Sequence, residues 1–188
     1  MGNFKFCPDI SGIAPIELRP YMVESAYDYY MICITSPHQR MSIQTVMCAL
    51  AIEILLKSFH AKVTGNHGKL NETYGFNKKE SLPKEANAHD LIALYEALPK
   101  EIKEYLFKPV DLDILADNKD LFTQSRYVYE STANRSHNDS IIKLAACLIC
   151  KIIFLYKQRE CADPFITSFY IEEFYLNQVQ QILAYSAP

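Results

Sequence analysis

The stretch Met41–Val63 (MSIQTVMCALAIEILLKSFHAKV) constrains the fold of this chain more than any other feature of the sequence. It contains no Gly or Pro and has frequent Ala and Leu, so it predicts a long α-helix. Apolar residues cover most of both sides of that helix, which is typical of a helix buried in a core. Only Glu53 and Lys57 interrupt the apolar surface with charge. Because a buried carboxylate is costly without a partner, the sequence raises the question of which residue pairs with Glu53.

The composition is that of an ordinary globular protein with one core. The chain has 188 residues, of which 49% are hydrophobic and 22% are charged. Its net charge of −3 gives no overall attraction to nucleic acid or to an anionic membrane, although local basic patches remain compatible with it. Five glycines are few for this length, which argues against glycine-rich phosphate loops and turn-rich β architecture.

The order of periodic and polar segments predicts an all-α fold, an antiparallel bundle of about five to seven helices. Residues 1–19 are expected to form an irregular N-terminal arm, and residues 20–188 a single helical domain with a polar loop at 64–88. Strands are not expected, because no period-two alternation is sustained. The predicted helices are 21–35, 41–63, 89–98, 99–107, one capped by Asp113 or Asp117 that runs through Tyr129, 140–159 and 169–185.

The cysteines and the apolar runs bear on compartment and ligands. The N-terminus lacks the pattern of a secretory signal, so the six cysteines are interpreted as reduced thiols of a cytoplasmic protein. Cys147 and Cys150 form a C-x-x-C, but no second ligand pair completes a metal site, which favours core packing over zinc. We expect no metal and no cofactor. The longest apolar run, 144–156, is shorter than the roughly 20 residues of a membrane span, so no membrane segment is expected.

Two candidate interactions involve the glutamate of the central helix. Lys57 lies four residues after Glu53, which favours a pair within the helix at the edge of the core. Arg126 lies in the aromatic stretch FTQSRYVYE and could reach Glu53 from another helix, because a guanidinium binds a carboxylate bidentately. Glu130, one turn after Arg126, competes for the same arginine.

A third polar cluster, Arg135-Ser136-His137, lies just before the second apolar helix. A helix N-terminus attracts anions, so Arg135 could bind phosphate and His137 could act as a general acid or base. The alternative is a polar turn in which Asn138, Asp139 or Ser140 caps the helix. His89-Asp90 is a weaker candidate, because an acid in the first helical turn is favourable whatever the function.

Three motifs occur in an order that resembles the HEPN superfamily, and more narrowly its stand-alone bacterial members. They are ALAIEILLKSF (Ala49–Phe59), HDLIALYEALP (His89–Pro99) and FTQSRYVYE (Phe122–Glu130). The resemblance covers roughly residues 41–156. It implies an all-α bundle, a homodimer formed through helix faces, and a place in toxin–antitoxin, phage-defence or RNA-processing systems, with RNA or an antitoxin-like protein as possible partners.

Active members of that superfamily are metal-independent endoribonucleases whose motif is an Arg followed, after a few residues, by a His. Here one residue separates Arg135 from His137, and ten residues separate Arg126 from His137, so the chain departs from that pattern. We therefore expect a dimeric RNA-associated or protein-interaction module with a degenerate catalytic motif. The alternative is an endoribonuclease in which His137 transfers protons and Arg126 or Arg135 stabilises phosphate charge.

Overall fold

The computed structural model describes residues 4–37, 40–119 and 139–180. It is mostly helical, as the sequence predicts, with one small antiparallel hairpin. The elements are α1 (Pro20–Thr35), α2 (Met41–Ser58), β1 (Lys62–Gly65), β2 (Thr73–Gly75), α3 (Lys78–Ser81), α4 (Leu91–Ala97), α5 (Lys100–Leu106), α6 (Pro109–Asp117), α7 (Ser140–Gln158), α8 (Pro164–Ser168) and α9 (Ile171–Tyr175). A short π-helical segment, Leu176–Gln180, continues α9.

Helices α2 and α7 form the centre of the core, and α1 packs against both. Helices α1 and α2 are an antiparallel pair, because they pack against each other and only five residues separate them in the sequence. Both α2 and α7 bury residues on several faces, as their nearly continuous apolar sequences predict. Burial of this kind contributes roughly 1.5–3 kcal/mol for each large aliphatic side chain.

The one charge in the middle of α7 is accommodated at the surface of the core. The Lys151 ammonium donates a hydrogen bond to the carbonyl of Leu106 at 2.7 Å, at the end of α5. In return, the Tyr105 hydroxyl donates to the Lys151 carbonyl at 2.6 Å. The lysine therefore satisfies a carbonyl at the C-terminus of α5, where a positive charge is favourable.

The arm before α1 is held against the helices by apolar and polar contacts, and its described part, 4–19, contains no helix or strand. The ring of Phe6 lies 5.0 Å from that of Tyr175 and 5.8 Å from that of Phe154. Further along, the Arg19 amide donates to the Tyr156 hydroxyl at 3.1 Å, and the Arg19 Nε donates to the Ala61 carbonyl at 2.9 Å. Arg19 is thus a buried cation: its guanidinium donates to the Ala61 carbonyl just after α2 and pairs with the Glu17 carboxylate, while its backbone amide binds α7.

The expectation of no strands is wrong, and the central helix is shorter than predicted. It ends at Ser58, and the chain turns through Phe59–Ala61 into the hairpin of β1 and β2. Two glycines permit the close pairing: a Cβ on Gly65 would lie 2.8 Å from Thr73 Oγ1, and one on Gly75 would lie 2.9 Å from Thr64 Cγ2. The strands are too short to show a period of two in the sequence. The hairpin and α3 occupy much of the stretch predicted as a polar loop.

The shorter helices differ from prediction mainly at their ends. Helix α4 begins at Leu91 because the Asp90 carboxylate accepts hydrogen bonds from the amides of Ile92 and Ala93, at 2.9 and 3.1 Å. Helix α6 begins at Pro109, so Asp113 lies inside it and Asp117 ends it, and neither is an N-cap. The helix predicted through Tyr129 lies outside the described residues. The predicted terminal helix, 169–185, begins at Ile171 and changes to π-helical geometry at Leu176, and its last five residues lie outside the described part.

Candidate functional site around Glu53 and His89

Glu53 is a buried carboxylate that faces away from the centre of the core toward α4 and the hairpin. Its side chain is 4% exposed. The Lys57 ammonium, one helical turn later, donates a hydrogen bond to Glu53 Oε1 at 2.6 Å. The predicted pair within the helix is therefore confirmed, and it lies at the edge of the core, since the Lys57 side chain is 15% exposed.

His89 is a second partner of Glu53. Its Nδ1 lies 3.0 Å from Oε1 and 3.1 Å from Oε2 of the carboxylate. A carboxylate without a proton only accepts, so the geometry requires that Nδ1 carries the hydrogen and donates it. In the neutral ring, Nε2 then keeps its lone pair. The His89 side chain is 54% exposed, so the imidazole lies at the protein surface while its partner is buried.

The backbone around His89 holds the ring in place. The His89 amide donates to the Asn87 side-chain oxygen at 3.1 Å, forming a turn just before α4. Asp90 then caps α4 directly after it. Because α4 packs against α2, this turn is fixed relative to Glu53. The imidazole is thus positioned by a local turn, a helix cap and a tertiary contact.

Lys57 connects the hairpin to the same site. Its ammonium lies 5.1 Å from the centre of the Phe76 ring, and Phe76 directly follows β2. A cation over an aromatic face is attracted by the ring, by about 0.5–1 kcal/mol where water has access. Segment 76–89, which begins at this ring and ends at His89, is therefore anchored at both ends on α2. Glu53, Lys57, Phe76 and His89 are called the Glu53 cluster below.

The Glu53 cluster has the parts of a proton-transfer site. A carboxylate that accepts from Nδ1 orients the imidazole and fixes its tautomer, which makes Nε2 the ring atom that would exchange a proton with a substrate. Lys57 keeps positive charge beside the carboxylate. The same arrangement also serves as a stable polar link between α2 and α4, so the chemistry depends on what approaches the exposed side of His89.

Sequence reasoning found Glu53 and Lys57, but it ranked His89-Asp90 only as a weaker candidate and did not connect His89 with Glu53. The available signal was its position in the second motif, directly before the cap of an apolar helix. Arg126, Glu130, Arg135 and His137 lie outside the described residues, so the pairing of Arg126 with Glu53 stays a prediction. Both oxygens of Glu53 contact His89 and one also accepts from Lys57, and each oxygen has two lone pairs, so a further donor remains chemically compatible.

The cysteines of the described chain are free thiols, and several belong to the core. Cys48 and Cys150 are fully buried, and Cys147 is partly buried. The Cys33 and Cys48 sulfurs lie 3.6 Å apart between α1 and α2. Burial raises the pKa of the Cys150 thiol well above its ordinary value. Among residues 4–37, 40–119 and 139–180, no three His, Cys, Asp or Glu side chains are grouped closely enough to hold a metal ion.

Within the part of the chain that the structure describes, α2 is the one helix long and apolar enough to cross a membrane. Core helices of globular proteins meet the same criterion, and 56% of the α2 residues are buried inside this protein. Comparison with protein-family models, with curated proteins and with solved structures finds no match to this chain.

Proposed function

We propose that this chain is a HEPN-like helical protein that acts in the cytoplasm as a homodimer and associates with RNA through the face that carries the Glu53 cluster. A defence or toxin–antitoxin type system is the expected setting, with an antitoxin-like protein as a further partner. One observation carries the proposal. Two of the three motifs of the resemblance meet in space, because Glu53 and Lys57 come from the first and His89 from the second.

The charge distribution next to the cluster supports RNA as the ligand. Segment 76–89 contains Lys78, Lys79 and Lys84 against two glutamates, and its two ends are anchored beside Glu53. Phosphates of RNA are attracted by such lysines through charge and the release of counterions. This local excess of one positive charge lies on a protein whose net charge is −3, so the segment is a better site for phosphate than the protein as a whole.

The second candidate function is metal-independent RNA cleavage. The observation in its favour is His89, whose ring is held by a buried carboxylate and is half exposed. A histidine held in this way can remove a proton from a 2′-hydroxyl or donate one to a leaving oxygen. Arg126, Arg135 and His137 remain the proposed source of phosphate stabilisation and of a second acid or base.

Binding and cleavage are separated by one set of variants. Purified full-length protein would be titrated with fluorescent single-stranded RNA in chelator, at about 50 and about 200 mM salt, and the RNA then examined for cleavage. We expect Lys78→Glu/Lys79→Glu/Lys84→Glu to weaken binding at least tenfold at the lower salt, roughly the effect of losing several phosphate contacts. Lys100→Glu/Lys108→Glu/Lys119→Glu, at three exposed lysines on α5 and on either side of α6, makes the same change in charge and is the control for total charge.

Cleavage by the wild type that is lost in His89→Ala and kept in His67→Ala would select the nuclease. Cleavage lost in His137→Ala as well would include that residue in the reaction. If the wild type does not bind RNA, or if the segment 76–89 variant binds as tightly as the wild type, the proposed RNA-binding face is wrong.

A further inference from the structure

An aromatic pocket lies away from the Glu53 cluster, where α1 meets α8 and α9. Its volume is about 480 Å³, within the range of about 300–1,000 Å³ that is typical of small-molecule sites. Five aromatic rings and one carboxylate contribute to its lining, among other residues: Tyr27, Phe165, Phe169, Tyr170, Phe174 and Glu173. Nothing in the proposed RNA function uses this pocket.

The rings of the pocket are tilted against each other and are not stacked. Tyr27 and Phe169 meet at 84°, with their ring centres 5.3 Å apart. Phe169 and Phe174 meet at 65° and 5.2 Å, while Tyr27 and Phe165 meet at 48° and 5.4 Å. Several rings of different orientation thus line one cavity, and in aromatic cages such groups of rings bind organic cations through their negative faces.

The walls of the pocket are held in place by hydrogen bonds and ring contacts. Tyr30, one helical turn after Tyr27, is fully buried and donates its hydroxyl to the Gln178 side-chain oxygen at 3.1 Å. Its ring contacts that of Phe174 at 5.6 Å. On the other side, the Lys157 ammonium donates to the carbonyls of Thr167 at 3.0 Å and Phe169 at 2.8 Å. The pocket is therefore preformed, which lowers the entropy cost of binding.

Negative charge surrounds the pocket. Glu173 is part of its lining and is exposed to solvent. Burial and the neighbouring charge of Asp28 raise the pKa of Tyr27. The Asp28 carboxylate is therefore a second negative charge near the rings. Burial and the charges of Asp163 and Asp28 raise the pKa of Glu24 on the same side of α1. Lys157 is the neighbouring cation, and two backbone carbonyls already accept its hydrogen bonds.

We propose that the aromatic pocket binds a small organic ammonium ion, with a trimethylammonium group as the best-matched chemistry. The rings supply apolar contact and cation–π attraction, and Glu173 supplies charge complementarity at the opening. A methylated ammonium is favoured over a metal ion or a simple ammonium because it needs no hydrogen bonds from its surroundings and costs less to remove from water.

The test compares choline with 3,3-dimethylbutan-1-ol, which has the same shape but no charge, in calorimetric titrations of the full-length protein. Choline is expected to bind at least tenfold more tightly than the neutral alcohol, the scale of a partly desolvated cation–π contact. Because trimethylammonium groups also occur on modified lysines, a second arm uses a short trimethyllysine peptide against its neutral carbon isostere. Preference for the cation in either arm supports the proposal and identifies the source.

Two variants connect binding to the pocket. Phe169→Leu removes the ring that contacts three of its neighbours, and Glu173→Gln removes the charge while leaving the shape; each is expected to weaken choline binding at least threefold. Glu104→Gln, at an exposed carboxylate on α5, is the matched control and should bind as the wild type. Glu173→Gln keeps the test valid if Phe169→Leu does not fold.

Equal affinity for the cation and its neutral isostere in both arms, no binding in either arm, or unchanged affinity in Glu173→Gln would overturn the proposal. Any of these results leaves RNA binding at the Glu53 cluster untouched, because the two sites share no residue. Failure of the RNA experiment likewise has no bearing on the aromatic pocket, which the choline titration tests by itself.

Discussion

The Nδ1 atom of His89 lies 3.0 Å from Oε1 of Glu53, although the two residues are 36 positions apart in the sequence. This contact joins the turn just before α4 to α2 and fixes the tautomer of a half-exposed imidazole.

The tautomer gives the first prediction. In the wild type at pH 8, nitrogen-15 NMR should show His89 with the proton on Nδ1, because the carboxylate accepts only from a protonated nitrogen. In Glu53→Gln, the amide can also donate to Nδ1, so the other tautomer should become populated. Glu104→Gln is the control. A wild-type ring with its proton on Nε2 would contradict the geometry of the cluster.

The second prediction concerns stability. Glu53→Gln should lower the free energy of unfolding by about 2 kcal/mol, because it leaves the nearly buried Lys57 ammonium without its ionic partner. Glu104→Gln, at an exposed pair with Lys100, should change it by less than about 0.5 kcal/mol. The measurement is urea unfolding followed by circular dichroism.

Adding Lys57→Met to Glu53→Gln should restore part of the loss, since the unpaired charge is then removed as well. A double variant whose loss equals the sum of the single losses would show that the two residues are not coupled.

The sequence predicts the α2 side of the Glu53 cluster but not the side that contains His89. Helices α2 and α7 follow from long apolar stretches without Gly or Pro, and the Glu53–Lys57 pair follows from its spacing. His89 could not be assigned to Glu53 in this way, because the contact depends on how α4 packs on α2. Periodicity describes one helix at a time and contains no information on which helices meet.

The hairpin was missed for a related reason. Strands β1 and β2 have four and three residues, too few for a visible alternation, and their pairing is made possible by two glycines that accept close side chains from the opposite strand. The same hairpin brings Phe76 over Lys57. One side of the candidate site thus depends on a tertiary feature that no local pattern predicts.

The third prediction is a pH dependence of stability that arises from His60. Burial lowers the pKa of His60 below its ordinary value of 6.5, against a smaller opposing effect of a hydrogen bond with the Ala97 backbone. The unfolded chain therefore binds this proton more readily than the folded one. The contribution of neutral His60 is fully present above pH 6.5 and is lost as the pH falls through 6.5 toward the folded pKa.

Unfolding free energies between pH 8 and pH 5 should therefore fall less steeply in His60→Gln than in the wild type. His67→Gln, at an exposed histidine between the two strands, should keep the wild-type slope. A wild-type slope in His60→Gln would show that His60 is not protonated differently in the two states.

The fourth prediction uses the cysteines as probes of the core. Cys7 is exposed, whereas Cys48 and Cys150 are fully buried. Burial raises the pKa of the Cys150 thiol. A hydrogen bond between Cys48 and Cys33, together with burial, raises the pKa of the Cys48 thiol. Little reactive thiolate therefore forms at Cys48 or Cys150. Iodoacetamide at pH 8 should label Cys7 within minutes. Labelling of Cys48 and Cys150 should appear in mass spectra only as the protein unfolds in urea, and early labelling of either would contradict the packing of α2 and α7.

The fifth prediction tests the proposed homodimer. Ile32 on α1 and Ile43 on α2 are 59% and 51% exposed, which is unusual for two large aliphatic side chains next to each other. The two isoleucines lie close together because the residues that follow them in the sequence are in contact. The Cys33 thiol donates a hydrogen bond to the Gln44 carbonyl at 3.4 Å. Exposed Tyr29, one turn before Ile32, and Met41 extend this apolar patch.

Ile32→Glu/Ile43→Glu should therefore convert a dimer to a monomer in sedimentation velocity runs, because two like charges on each copy would face each other across a two-fold axis. Leu70→Glu/Val110→Glu is the matched control, since it adds the same two charges at aliphatic side chains that are 65% and 60% exposed and lie between the strands and on α6. Both proteins should unfold within about 0.5 kcal/mol of the wild type, as substitutions at exposed positions usually do. A wild type that sediments as a monomer at all concentrations, or a dimer that survives both charges, would exclude this patch as the interface.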